Sequence, residues 1–125
     1  MIFDTDIFIW ARRGNAKAAK LIENTNDRFL SVISYMELLQ GANSKEQHII
    51  VKDFLSDFEF IILPLTENIG HRASIYMEAF SLSHGLYSND ALIAATAVEN
   101  NLPLTSSNSK HFKPISDLKF KSFTI

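Results

Sequence analysis

The sequence predicts a single α/β domain with a mainly parallel sheet of about five strands flanked by helices. Two observations support this prediction. Short apolar segments alternate along the chain with longer segments of helical periodicity, which is typical of strands joined by crossover helices. The 125 residues include only four Gly and three Pro, with no repeat, low-complexity tract or linker. We therefore predict one domain over residues 1–125.

Five segments are predicted as strands because they are short and apolar, or because apolar and polar residues alternate in them. Residues 1–5 and residues 28–32 are short apolar runs. Residues 58–63 are followed by a proline, and residues 102–106 precede a turn rich in Ser and Asn. Residues 118–125 alternate apolar and polar side chains, which indicates a half-buried last strand.

Six segments are predicted as helices from their periodicity and from the residues at their ends. Gly14, Gly41 and Gly85 lie at the ends of three of them, as expected of helix-terminating glycines. The predicted helices span residues 6–13, 16–23, 34–41, 44–57, 67–84 and 88–100. The predicted N-caps are Asp6, Ser34 and either Ser88 or Asn89.

The composition excludes several kinds of site. There is no cysteine, which excludes disulfides, thiolate metal sites and cysteine nucleophiles. The histidines His48, His71, His84 and His111 show no paired ligand spacing, which argues against zinc. The N-terminus lacks the plan of a signal peptide, and no apolar run approaches the ~20 residues of a membrane span. We therefore expect a cytoplasmic protein.

The formal net charge of -2 conceals two basic groups. Residues 101–125 hold four lysines and one acid, and Arg12 and Arg13 lie near two further lysines. Such groups are commonly solvated surfaces. If acids gather at one site, however, Arg12, Arg13, Lys110 and Lys113 are candidates to hold a phosphate chain across it.

Polar residues follow predicted strands, at the sheet edge where parallel α/β folds bind ligands. Asp4 and Asp6 interrupt an apolar run, and a buried carboxylate without a partner is costly. A role as helix N-cap explains Asp6 well. It explains Asp4 poorly, so Asp4 is either hydrogen-bonded to backbone or functional. Ser106 and Asn108 offer a hydroxyl and an amide at the same edge, although an ordinary turn explains them too.

Two further acids lie at helix starts. Glu37 follows Ser34 by three residues, which is the spacing of a capping box, but its helix is apolar on most sides. Asp90 lies in the first turn of a helix, where the macrodipole stabilises a negative charge. Each acid alone has a structural explanation.

Together, Asp4, Glu37 and Asp90 are expected to converge on one edge of the sheet. Three clustered carboxylates repel one another unless a cation binds. Hard oxygen ligands suit Mg²⁺, or Mn²⁺, rather than Zn²⁺. The sequence therefore predicts a magnesium site.

Four segments of the chain resemble the PIN-domain family, in particular the VapC-type toxin ribonucleases of toxin–antitoxin systems. They read IFDTDIFI, SVISYMELLQGA, NDALIAATA and LPLTSSNSKHF, and their order and spacing match the family over nearly the whole chain. NDALIAATA followed by the HF pair is the most specific part. The resemblance implies a PIN-like fold, endoribonuclease activity, a small antitoxin as partner and a homodimer.

The resemblance also implies roles for individual residues. Asp4, Glu37 and Asp90 fall on the family's metal-binding acids, with Glu37 acting directly or through water. Asp6 and Ser106 fall on positions that support the site. Asn108 falls where many members carry a fourth acid, so one metal ion is expected and a tightly held second ion is in doubt. The bound ion would activate water for cleavage of an RNA phosphodiester.

Three other functions are consistent with parts of the pattern. Asp4, Asp6 and Ser106 can be read as the motif of a haloacid-dehalogenase-like phosphatase, but the chain lacks its further acidic pair. A receiver domain requires an Asp at the end of the middle strand, where this sequence has FEFIILPL. A PIN-fold binding module with little catalytic activity is left open by Asn108.

Overall fold

A computed structural model describes all 125 residues as one five-stranded sheet with helices on both faces. The strands lie in the order β3-β2-β1-β4-β5, and every neighbouring pair is parallel. The prediction of a mainly parallel α/β sheet of about five strands is therefore confirmed. The strands are β1 (Ile2–Phe3), β2 (Phe29–Ser31), β3 (Ile61–Leu63), β4 (Leu104–Ser106) and β5 (Phe120–Ser122).

Seven helices connect and cover these strands, one more than predicted. They are α1 (Thr5–Arg12), α2 (Ala16–Asn24), α3 (Val32–Gln40), α4 (Lys45–Asp57), α5 (Glu67–His84), α6 (Ser88–Glu99) and α7 (Ser109–Phe112). The additional helix is α7, whose four residues are too few to show a helical period in the sequence.

The predicted N-caps of three helices are wrong by one to three residues. Asp4, not Asp6, caps α1, and its carboxylate accepts a hydrogen bond from the Thr5 N–H. Ser31, not Ser34, caps α3, so no capping box joins Ser34 to Glu37. Tyr87 precedes α6 and makes no side-chain capping bond.

The strands are shorter than predicted because residues at their ends belong to the adjoining helix or turn. Residues 1–5 were expected as one strand, yet β1 ends at Phe3 and the chain enters α1 at Thr5. Before β3, Glu59 has a φ of 56°, which turns the chain and delays the strand until Ile61. The short strands bring helix N-termini close to the sheet edge.

Alternate residues of β1 feed two separate hydrophobic cores, because successive side chains of a strand point to opposite faces. Ile2 packs on the face covered by α5, α6 and α7, and Phe3 packs on the face covered by α1, α2 and α4. Both side chains are fully buried. Truncating such a buried aromatic to Ala typically costs about 3–5 kcal/mol of stability.

Helix α6 packs tightly because small residues line it. Ala91, Ala94, Ala95 and Ala97 are fully buried, and side chains of this size allow close approach to the sheet and to α5. The position of Asp90, immediately before Ala91, is therefore held firmly by the packing of its helix.

None of the helices combines the length and apolar character needed to cross a bilayer.

Candidate active site

The candidate site lies at the carboxyl ends of the central strands β1 and β4, where the connections that follow these strands run to opposite sides of the sheet. β1 occupies the centre, the chain continues to β2 and β3 on one side, and β4 and β5 lie on the other. In parallel sheets, ligands bind at the carboxyl ends of strands on either side of such a switch point. Phe3 is paired with Thr105, so the next residues, Asp4 and Ser106, emerge side by side. The Asp4 N–H donates to the Thr105 carbonyl at 2.9 Å.

Asp4 is buried and fully hydrogen-bonded. The residue as a whole is only 6% exposed to solvent. Oδ1 accepts from the Thr5 N–H at 2.8 Å, and Oδ2 accepts from the Ser106 hydroxyl at 2.7 Å. The interpretation of Asp4 as an acid hydrogen-bonded to backbone is therefore confirmed, and its functional role stays a prediction.

The pKa of Asp4 is raised from 3.8 to about 7. Burial is the largest cause, because a carboxylate loses its hydration there. The negative charges of Asp6 and Asp90 raise the pKa further, and the hydrogen bonds from Ser106 and Thr5 oppose them. Asp4 thus lies in an electrostatic field that favours a bound proton or another positive charge.

Asp6 connects α1 to the segment after β4. Its Oδ2 accepts from the Ser107 N–H at 2.9 Å and from the Ser107 hydroxyl. Its Oδ1 is buried and has no hydrogen-bond partner in the chain. A buried carboxylate oxygen without a protein donor is a suitable contact for a cation or an ordered water.

Glu37 is connected to the site through Thr5, a residue that the sequence analysis did not select. The Thr5 hydroxyl donates to Glu37 Oε1 at 2.8 Å and lies 3.0 Å from the fully buried Ser34 hydroxyl. Glu37 thus points toward the start of α1 and not to the start of its own helix. Thr5 stands between two acids at the end of a strand, and that position was the only signal for it.

Asp90 reaches the site from α6 and contacts His111 of α7. The Asp90 Oδ2 lies 2.7 Å from Nδ1 of His111, and the two side chains are 16% and 14% exposed. The Asn108 amide nitrogen lies 2.8 Å from the same ring nitrogen. In the sequence, His111 stood out only as part of the HF pair and as a histidine without zinc-ligand spacing, and no pattern predicted its contact with Asp90.

These contacts show which predicted residues come together. Asp4 lies within the electrostatic influence of Asp6 and Asp90, and it is bonded to Ser106. Glu37 contacts Thr5, the neighbour of Asp4 in the chain. In this conformation, no three side chains of His, Cys, Asp or Glu lie close enough together to hold a metal ion.

The donor set nevertheless fits a hard divalent cation. Asp4 carries a raised pKa because it is buried and because Asp6 and Asp90 are negatively charged, and Asp6 Oδ1 is buried without a partner. Both features are relieved by positive charge between the carboxylates. The available donors are oxygen atoms, which Mg²⁺ and Mn²⁺ prefer.

A groove beside Glu37 contains two of the predicted basic residues. Arg12 and Arg13 of α1 and the adjoining turn line it together with Glu37, and its volume is about 370 Å³. Arg13 lies over the Trp10 ring at 5.8 Å. Arg12 and Arg13 are both exposed, and neither forms a salt bridge. The rest of the groove is lined by Ile9, Leu38 and Gly41.

The other two predicted cations lie at α7. Lys110 directly precedes His111, and Lys113 follows the helix. Both are exposed and neither forms a salt bridge. Cations thus flank the acids from α1 and from α7.

Comparison with known proteins shows similarity over almost the whole chain. The family description "PIN domain" matches residues 1–118. Ribonuclease VapC10 of Mycobacterium tuberculosis is 33% identical over 123 residues, which cover 95% of this chain and 90% of the relative. Ribonuclease VapC1 of Methanocaldococcus jannaschii is 26% identical over 102 residues, covering 82% and 74% of the two chains.

Solved structures give the same result. A chain of a toxin–antitoxin complex from Klebsiella pneumoniae matches with a TM-score of 0.83 and 28% identity, covering 99% of this chain and 98% of that one. A chain of VapBC2 from Rickettsia felis, bound to a DNA fragment from its promoter, matches with a TM-score of 0.79 and 26% identity. That match covers 99% of this chain and 100% of the other.

Proposed function

The chain belongs to the PIN-domain family, and from this premise we propose that it is a divalent-metal-dependent endoribonuclease, the toxin of a type II toxin–antitoxin pair. The observation that carries the proposal is Asp4, a buried acid beside Asp6 and Asp90 whose pKa is raised to about 7. The relatives named as VapC ribonucleases support the choice of RNA as substrate. The structural match to a chain of a toxin–antitoxin complex supports an antitoxin as partner.

Asp4, Asp90 and Glu37 are proposed as the residues that hold Mg²⁺ or Mn²⁺, with Glu37 acting directly or through water. When bound, such an ion supplies Lewis acidity, lowering the pKa of water and polarising the scissile phosphate. Asn108 supplies a neutral amide at the position where a fourth acid would add negative charge. The proposal is therefore one ion, with no second ion held tightly.

The chain itself orients the acids before any ligand arrives. Ser106 holds Oδ2 of Asp4, and the Thr5 hydroxyl holds Oε1 of Glu37. α1 and α6 both begin at this edge of the sheet, with Asp4 as the cap of one and Asp90 in the first turn of the other. Helix N-termini carry partial positive charge, which favours the carboxylates and an approaching phosphate.

The RNA backbone is proposed to pass between the two groups of cations. Arg12 and Arg13 would contact phosphates in the groove beside Glu37, and Lys110 and Lys113 would contact phosphates on the α7 side. Hydrolysis by water would leave a 5′-phosphate and a 3′-hydroxyl. The partners proposed are one small antitoxin that covers the acidic site and a second copy of the chain in a homodimer.

The three alternative functions are no longer equally supported. Membership of the PIN-domain family removes the basis for the haloacid-dehalogenase-like phosphatase and for the receiver domain. A PIN-fold module that binds RNA without cleaving it is the alternative that an assay must exclude.

The decisive experiment is cleavage of total RNA by the purified protein with Mg²⁺, with Mn²⁺ and with excess EDTA, followed by sequencing of the RNA ends. We expect cleavage with either ion, none in EDTA, and none by Asp4→Asn, which should remain folded. His71→Ala is the matched control, since His71 is exposed on α5. Full activity in EDTA or in Asp4→Asn would overturn the proposal, and RNA binding without cleavage would favour the binding module.

A further inference from the structure

We propose that His111 is a positioning residue that holds the Asp90 carboxylate in one orientation through its Nδ1–H, and that Asn108 and Tyr87 hold the imidazole in turn. This inference rests on the proposed function, since it gives His111 a role in preparing Asp90 for a cation.

The contact between His111 and Asp90 is short and shielded. Nδ1 lies 2.7 Å from Oδ2, with the side chains 14% and 16% exposed. Hydrogen bonds to an ionised group are strong, and partial burial reduces the competition from water. No other side-chain hydrogen bond reaches the Asp90 carboxylate, and α6 has no side-chain cap. His111 is therefore the side chain that orients this acid.

The position of the proton on His111 follows from its neighbours. Both Asp90 Oδ2 and the Asn108 amide approach Nδ1, at 2.7 and 2.8 Å. One ring nitrogen cannot donate to Asp90 and accept from Asn108 at the same time. An ionised Asp90 only accepts, so Nδ1 carries the proton and the Asn108 amide presents Oδ1 to it, which a half-turn of the amide achieves.

Asn108 extends this arrangement to the other side of the site. Its backbone N–H donates to Ser106 Oγ at 3.0 Å, and the Ser106 hydroxyl donates to Asp4. A continuous hydrogen-bonded path thus runs from Asp90 through His111 and Asn108 to Ser106 and Asp4. The turn between β4 and α7 therefore controls the orientation of two acids that come from different elements.

Tyr87, which is itself 70% exposed, contacts the imidazole on one side. The two rings are edge to face, with centroids 5.5 Å apart and planes at 82°. Tyr87 immediately precedes α6, three residues before Asp90. Tyr87 and Asp90, which both contact His111, thus lie together at the start of α6.

Metal ligands usually have such hydrogen-bonded neighbours, and their removal typically lowers metal affinity about 10–100-fold. We expect this loss for His111→Ala. We expect His111→Asn to restore much of the affinity, because the Asn side-chain nitrogen lies the same number of bonds from Cβ as Nδ1 and also donates. A purely structural role would not distinguish the two variants in this way.

The first test measures Mn²⁺ binding by calorimetry, in the absence of RNA, for wild type, His111→Ala, His111→Asn and the control His71→Ala. Weaker binding only in His111→Ala supports the inference. Equal affinity in wild type and His111→Ala overturns it. Asp4→Asn serves as the reference for the site: if it binds Mn²⁺ as wild type does, the proposed function fails at its metal centre and the role of His111 falls with it.

The second test needs no metal. Long-range ¹H–¹⁵N correlation of the histidine rings in the free protein, at a pH where the ring is neutral, reports which nitrogen carries the proton. We expect the Nδ1–H form for His111, and its loss in Asp90→Asn. A ring protonated on Nε2 in wild type would overturn the inference, even if the protein cleaves RNA.

Discussion

The Ser106 hydroxyl donates a 2.7 Å hydrogen bond to Oδ2 of Asp4, joining residues 102 positions apart in the chain. The bond is buried and connects the ends of the two neighbouring strands at the centre of the sheet. It also opposes burial, which pushes the pKa of Asp4 upward. The pKa of Asp4 thus depends on the pairing of β1 with β4.

Ser106→Ala should raise the pKa of Asp4 above its value of about 7, because the hydrogen bond that favours the carboxylate is lost. The substitution also removes the acceptor of the Asn108 N–H, which should cost about 1–3 kcal/mol of stability. NMR titration of the Asp4 carboxyl carbon in metal-free protein measures the shift. Ser109→Ala is the control, since its hydroxyl pairs with Ser122 instead. An unchanged pKa in Ser106→Ala would contradict the prediction.

Asp4→Asn should stabilise the metal-free protein at pH 8 and have little effect on stability near pH 4. The pKa of Asp4 is about 7 in the folded chain against an ordinary 3.8, so its contribution is fully present below about pH 4 and is lost as the pH rises to about 7. About three pK units correspond to at most about 4 kcal/mol. Urea unfolding of both proteins at pH 4 and pH 8 gives the difference, and a pH-independent difference would refute this account.

Metal affinity should rise with pH until Asp4 is deprotonated. A cation must displace the proton from an acid whose pKa is about 7, so the affinity for Mn²⁺ should increase about tenfold per pH unit between pH 5 and 7 and level off above that. Binding should also stabilise the fold, by about 2.7 kcal/mol at a hundredfold excess over Kd. Thermal melts with and without Mn²⁺ across this range test both effects. The same melting shift in Asp4→Asn would show that the ion binds elsewhere.

Thr5→Val should lower cleavage about tenfold at saturating RNA, because Glu37 loses its 2.8 Å hydrogen bond and is no longer held toward the site. Valine preserves the shape of the side chain, so the loss of stability should be about 1 kcal/mol. Thr5→Ser keeps the hydroxyl and should retain most of the activity. Comparison of kcat and Tm for the three proteins separates positioning from folding, and equal kcat values would rule out this role of Thr5.

Arg12→Gln should weaken RNA binding with little change in kcat, since Arg12 is exposed in the groove beside Glu37 and forms no ion pair. Loss of one phosphate contact should reduce the salt dependence of binding by about 0.7 in slope for single-stranded RNA. Lys17→Gln is the matched control, because Lys17 is exposed nearby in the chain but does not line the groove. Equal salt slopes for the two variants would exclude Arg12 from the RNA path.

The sequence by itself determined the fold class and the elements that carry the acids. Apolar periodicity and glycine positions are local signals, and they predicted five strands and six of the seven helices. The placement of Asp4 in an apolar run correctly indicated an unusual carboxylate, because burial of a charge is costly wherever it occurs. Local patterns did not settle which of several adjacent polar residues caps a helix, and here Asp4 takes the position expected for Asp6.

Only the tertiary structure decided which side chains meet. Thr5 reaches Glu37 across 32 positions, Asp6 reaches Ser107 across 101, and Asp90 reaches His111 across 21. The contact of Asp6 with Ser107 follows from the strand order, in which β4 returns to lie beside β1, and no local propensity encodes that return. The other two contacts follow from the packing of α1 against α3 and of α6 against α7. The physical reason is that a hydrogen bond forms only when donor and acceptor lie at the required distance to within a few tenths of an ångström. Such distances are fixed by the packing of α1, α6 and α7 on the sheet, not by spacing along the chain.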